Sequence, residues 1–273
     1  MKIGALISFK KNTDILQSFQ NLVDLDLNAC QVNIWEQELY TDENAEKIKD
    51  ASKQTGIEIT ALWAGWDGPK VWDFYMGPQT LGLVPPAYRF SRLKQLFAAS
   101  GFAKKLGVTD IITHVGFLPE NPYDEDFMGT VAALQSLAVH MKENGQYFLF
   151  ETGQETPVTM LRAIEEIGTD NLGINFDTAN LIMYGKSNSV DALRVFGKYV
   201  RNTHIKDGLY PTCGKKLGRE VPAGEGLADF PGIIKILNEH GYTGPYIIER
   251  EIHGEEQTRD IIRARDLIRS LLK

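Results

Sequence analysis

Short apolar runs alternate with amphipathic stretches along the chain, and this alternation restricts the fold more than any other feature. Residues 2–7 read as a strand, and residues 13–25 carry Ile15, Phe19, Leu22 and Val23 at helical spacing, which lays one apolar stripe against a sheet. The unit then recurs. Residues 29–35 and 57–64 read as strands, with a helix over 44–55 stopped by Gly56, and a helix over 89–106 ends at Gly107. Asp110 to Thr113 forms a strand that delivers His114, and residues 124–144 place Phe127, Val131, Leu134, Ala138 and Met141 on one face, with Gly145 beyond the end. Later helices begin at Thr156-Pro157, run over 190–196, start from Asp229 as N-cap, and close the chain over 255–272 with Ile261, Ala264, Ile268 and Leu271 inward. Strand–helix alternation implies parallel strands, because parallel neighbours need a crossover helix. Eight such units in 273 residues match the size of one eight-stranded barrel, so the expected fold is α/β, a single (β/α)8 TIM barrel filling one domain over residues 1–273.

What the strands carry at their ends points to chemistry. Phe148-Leu149-Phe150 runs into Glu151, residues 172–176 into Asp177, residues 199–203 into His204, and Tyr246-Ile247-Ile248 into Glu249. In a closed barrel the carboxyl ends of all strands meet at one mouth, where enzymes of this fold keep their active sites. Each residue alone has a plainer reading, and Asp177 before Thr178-Ala179 is a natural helix cap. Together, however, three carboxylates and an imidazole at one mouth are costly to bury without a compensating cation. The set is mostly hard. It suits Mn²⁺ first, with Mg²⁺, Co²⁺ or Zn²⁺ as alternatives.

One segment breaks the alternation. Residues 65–87 are dense in Gly and Pro yet hold Trp66, Trp72, Phe74, Tyr75 and Met76; a connection of this length is usually functional. We read it as a cover over the substrate, with Trp66 and Trp72 in contact with it, against the alternative of a subunit contact or a barrel plug. The net charge of −7 disfavours a surface built for phosphate backbones, so no nucleic-acid partner is expected. No CxxC pair occurs and no run approaches a membrane span; a cytoplasmic location without a membrane partner is the expectation, and a homo-oligomer stays open.

The strings FLFETGQET, INFDTAN, THIKD, VPAGEGLADF and GYTGPYIIERE resemble the xylose isomerase-like barrel superfamily, in particular its sugar phosphate isomerase/epimerase branch. That branch also holds ketose 3-epimerases, inosose dehydratases and endonuclease IV-type repair enzymes. The resemblance implies that Glu151, Asp177, His204 and Glu249 bind one divalent ion. It also implies that Glu151 and Glu249 exchange a proton with a sugar or keto-polyol from opposite sides, through a metal-stabilised enediolate. Substrate contacts are expected from His114, Asn180 and Lys206, from Asp207 beside it with a salt bridge to Lys206 or a loop contact as the alternative, and from Glu225 in its Gly-flanked loop with a tight surface turn as the alternative. Asn180 stands where ketose 3-epimerases carry a His, and where they place an Arg shortly after the metal-binding His this chain has Lys206 and Tyr210, with no arginine until Arg219. On strand two, Gln31 and Asn33 stand where a carboxylate is often found. The expected activity is a metal-dependent sugar isomerase or epimerase. A polyol dehydratase is its nearest alternative, and an endonuclease IV-like enzyme is disfavoured by the few histidines at strand ends.

Overall fold

The computed structural model describes residues 1–273. Eight parallel strands close on themselves: β1 (Ile3–Ser8), β2 (Ala29–Ile34), β3 (Glu58–Ala64), β4 (Asp110–Thr113), β5 (Tyr147–Glu151), β6 (Leu172–Asp177), β7 (Val200–Ile205) and β8 (Tyr246–Ile248), with β8 pairing back onto β1. Around them lie α1 (Ile15–Asp24), α2 (Asp42–Thr55), α3 (Pro86–Leu106), α4 (Glu125–Glu143), α5 (Pro157–Ile167), α6 (Ser189–Phe196), α7 (Phe230–Glu239) and α8 (Glu255–Leu271). The fold is the expected (β/α)8 barrel.

Local chemistry explains the boundaries. The side chains of Asp14, Thr41, Asp124, Thr156, Asn188 and Asp229 each accept a backbone N–H in the first turn of the helix that follows, and Gly56, Gly107 and Gly168 end their helices in the left-handed conformation. Helix α3 starts three residues earlier than its periodicity suggested, because Pro86 takes the first turn, where its missing N–H costs nothing. Two short helical turns, Gly77–Thr80 and Asn180–Met183, and a two-residue ribbon pairing Asp207–Gly208 with Glu220–Val221 add to the eight units.

The inside of the barrel is divided. One side is apolar, built from Ala61, Trp63, Ile112 and Leu149, whereas the other holds fully buried Gln31, Asn175 and Asn202. Alternation along each strand sets this: Leu149 and Glu151, Asn175 and Asp177, and Asn202 and His204 are pairs two residues apart, so each pair shares one face. The outward faces pack with the helices into the main apolar core, which includes Phe148, Phe150, Ile174 and Phe176.

The long connection after β3 is pinned. Arg92 of α3 is fully buried, and its guanidinium donates to the carbonyls of Asp67, Pro69, Thr80 and Gly82 at 2.6–3.2 Å while lying 3.9 Å above the Trp66 ring. The tip is tied across the mouth, where Phe74 N–H donates to Lys215 O at 3.2 Å.

Candidate metal centre and active-site pocket

Register delivers the four strand-end residues to one point. Asp177 lies beside His204 in the β6–β7 ladder, Glu151 beside Asn175, and Glu249 follows β8 with its N–H on Ile205 O. One ligand atom from each of Glu151, Asp177, His204 and Glu249 falls within 4.8 Å of all the others. His204 Nδ1 is 3.0 Å from Glu151 Oε1, 3.2 Å from Glu249 Oε2 and 3.9 Å from Asp177 Oδ2. Despite these distances, His204 Nδ1 and Asp177 Oδ2 are buried with no hydrogen-bond partner. Lone pairs that converge without hydrogen-bond geometry are what a cation needs, and the residues fit a divalent ion.

Electrostatics agree. Burial raises the Asp177 carboxyl well above its ordinary range, and nearby Glu249 and Glu151 add to the shift against the opposing charge of Lys206. For His204, burial favours the neutral ring, but the charges of Glu151 and Glu249 outweigh it and hold the imidazole well above its usual value. Glu249 resists burial because Lys206 and His204 keep it ionised, well below the ordinary carboxylate range. Asp177 serves two ends at once: Oδ1 accepts the N–H groups of Ala179 and Asn180 at 2.7 Å, which is the capping role, and leaves Oδ2 for the cluster.

Above the cluster opens a pocket of about 290 Å³. Its aromatic wall is Trp35, Trp63, His114 and Trp72 in succession, with Trp35–Trp63 ring centroids 5.1 Å apart, Trp63–His114 5.7 Å and Trp72–His114 5.2 Å. Glu151, Glu249, Lys206, Glu251, Asn33 and Asn180 give the polar wall. Burial lowers the His114 imidazole, so the ring is held neutral, and its Nδ1 has no partner within the protein. Lys206 Nζ lies 3.1 Å from Glu249, 3.3 Å from Glu251 and 3.9 Å from Asp177.

Of the residues expected at the substrate, His114, Asn180, Lys206 and Trp72 line this pocket. Three do not. Trp66 is fully buried behind Trp35, with its indole N–H on Thr113 Oγ1, so it is part of the packing that Arg92 clamps. Glu225 is bound to Arg263 at 2.6 Å outside the cavity. Asp207 is buried and gathers the N–H groups of Gly208, Gly224, Gly226 and Ala228. The AGEG loop is therefore wrapped around a carboxylate, and a Cβ on Gly226 would lie 2.1 Å from Asp207 Oδ1. Sequence reading missed Trp35, Trp63, Tyr184 and Glu251 in the lining. It also missed Glu155, whose Oε2 is unpartnered and whose carboxyl burial pushes up to about 8.

Comparison with known proteins accords with the barrel fold. The sequence model of the xylose isomerase-like TIM barrel family matches residues 19–271. The chain belongs to this family. Within it, the protein is similar to a xylose isomerase domain protein from Planctomyces limnophilus, with 35% identity, coverage of 99% of this chain and 96% of that one, and a TM-score of 0.91. An inosose dehydratase of Lacticaseibacillus casei is 26% identical over 147 residues, which is 47% of this chain and 48% of that protein. A putative L-ribulose-5-phosphate 3-epimerase of Escherichia coli (strain K12) is 36% identical over 101 residues, 36% of this chain and 34% of that one. The chain thus spans half or less of the curated relatives that it matches.

Trp72 is 40% exposed at the rim and its ring closes the aromatic wall over His114. Trp72→Ala is expected to lower kcat/KM about 2- to 10-fold, corresponding to the roughly 0.5–1.5 kcal/mol of an aromatic contact, with little change in melting temperature. Unchanged kcat/KM together with a dissociated oligomer would assign Trp72 to a subunit contact instead.

Proposed function

We propose that this chain is a divalent-metal-dependent isomerase or epimerase of a small, uncharged sugar or keto-polyol, working by proton transfer at a carbon next to a carbonyl. The observation that carries the reading is that Glu151 and Glu249 belong at once to the ligand cluster and to the wall of the pocket. Glu151, Asp177, His204 and Glu249 would hold the ion, and their hard donor set favours Mn²⁺. When bound, the ion supplies positive charge beside the substrate oxygens, which acidifies the neighbouring C–H. Glu151 comes from β5 and Glu249 follows β8, so the two reach the substrate from different sides, one taking the proton and the other returning it. Lys206 keeps Glu249 ionised and ready to accept. The aromatic wall gives the apolar face of a sugar a surface to lie on and keeps water from the reacting carbon.

Lys206 also favours a second reading. An ammonium facing the pocket beside Glu249 can protonate a departing hydroxyl, which would make the chain a dehydratase of a cyclic or open polyol. Incubating unphosphorylated ketoses and keto-polyols with the Mn²⁺-loaded protein in D₂O, followed by NMR, separates the two. Deuterium gain with an intact skeleton supports the isomerase or epimerase, and loss of a hydroxyl supports the dehydratase. Neither outcome across the panel, with cleavage of abasic-site DNA, would replace both readings by a repair activity.

The charge of the lining argues for an uncharged substrate. It contains no arginine, and its one lysine already faces Glu249, Glu251 and Asp177. An added anion would meet surplus carboxylate, a like-charge juxtaposition costing several kcal/mol. A terminally phosphorylated form of an accepted sugar is therefore expected to show kcat/KM lower by roughly 10²-fold or more. Equal or better turnover of the phosphate ester would reverse this assignment.

A further inference from the structure

Beneath the cluster, a chain of buried amides crosses the barrel from its floor. At the floor, Arg201 Nη2 donates to Asp110 Oδ1 at 3.0 Å, and Asn202 Nδ2 donates to Asp110 Oδ2 at 3.2 Å. Gln31 Nε2 donates to Asn202 Oδ1 and to Asn175 Oδ1, both at 3.0 Å. Asn175 Nδ2 in turn donates to Glu151 Oε2. Finally, Gln31 Oε1 lies 2.7 Å from His204 Nε2. Gln31, Asn175, Asn202 and His204 are all within 2% of full burial, so no water competes for these bonds.

The polarity of the chain follows from its two ends. A carboxylate can only accept, so Asp110 and Glu151 each force the neighbouring asparagine to present its NH₂. Both asparagines must then turn their oxygens toward Gln31, which has to meet them with both protons of its own NH₂. Only Oε1 is left for His204, and an amide oxygen cannot donate. The ring is therefore compelled to carry a proton on Nε2, and in its neutral form, the form that binds an ion, its unshared pair is on Nδ1, which faces Glu151, Asp177 and Glu249.

We infer that Gln31 is a positioning residue that sets the tautomer and angle of His204, and that the ion pair on the barrel floor fixes the direction of the relay. The inference rests on the reading of His204 as a metal ligand. It also gives the buried polar side of the barrel a purpose, since a fully satisfied network rigidifies what it touches. Outer partners of metal-binding histidines typically matter 10- to 100-fold in metal affinity, and here the partner is an amide held by two others instead of a single carboxylate.

The test uses the full-length protein. With Mg²⁺ bound, ¹⁵N-histidine NMR is expected to show the His204 proton on Nε2. Titration with MnCl₂ by calorimetry is expected to give about 10- to 100-fold weaker binding for Gln31→Met, which keeps volume but has no acceptor for the ring. Gln31→Glu, which keeps the acceptor for the ring but gives up the N–H donors to Asn175 and Asn202, should lose clearly less affinity than Gln31→Met. A His204 proton on Nδ1, wild-type affinity in Gln31→Met, or equal losses in the two variants would overturn the inference. His204→Ala serves as the control: wild-type Mn²⁺ binding there would show that the ligand reading itself has failed. If Gln31→Met does not fold, the tautomer in the wild-type protein still decides.

Discussion

Glu249→Gln is expected to lower the rate of deuterium exchange into substrate by roughly 10²–10⁴-fold, the contribution usual for a positioned acid or base, while much of the Mn²⁺ stays bound. The amide keeps an oxygen in the place of the carboxylate but cannot accept a proton. It also gives up the charge that Lys206 faces at 3.1 Å, leaving that lysine to Glu251 and Asp177, so the pocket becomes more positive as well as less basic. Metal content by elemental analysis and exchange by NMR, measured on the same sample, separate the two effects. Exchange at the wild-type rate in a variant with full metal would remove Glu249 from proton transfer. Exchange lost only in proportion to metal would leave it as a ligand alone.

His204→Ala is expected to reduce Mn²⁺ affinity by more than the roughly 10- to 100-fold that losing an outer partner costs, with activity falling in step. His204 is the one nitrogen donor of the cluster and the residue whose Nδ1 lies within 4 Å of all three carboxylates. Without it, Glu151, Asp177 and Glu249 face one another, and the Gln31 oxygen is left buried with no donor, a cost of about 1–3 kcal/mol in stability. The melting temperature of the metal-free variant should therefore lie modestly below that of the metal-free wild type. Full occupancy after dialysis, with an unchanged melting curve, would take His204 out of the ligand set.

The barrel was legible because its signals are local. Helical spacing, caps such as Asp124 and Asp229, and stops such as Gly56 and Gly107 depend on residues a few positions apart. The four strand-end groups were legible for a related reason, since parallel strands in a closed barrel carry their last residues to the same mouth whatever the loops do. Trp66 was misread for the opposite reason. Its composition matched that of Trp72, and only the position of Arg92, placed over its ring from α3, shows that one indole is clamped in the interior while the other faces the pocket. For Asp207 the choice between a substrate contact and a loop contact could not be made locally, because the N–H groups that hold it arrive from residues 224–228.

The sequence by itself thus determined the eightfold repeat, the end of the barrel at which the four groups meet and the identity of those groups. Tertiary structure alone decided which neighbours of those groups line the pocket and which hold the scaffold. Gln31 and His204 are 173 positions apart and become partners at 2.7 Å only when β2 and β7 close around the same bore. A polar residue in an apolar strand announces that it needs a partner, because burying it unpaired is costly; the partner is named by the closure of the sheet, which no local pattern encodes.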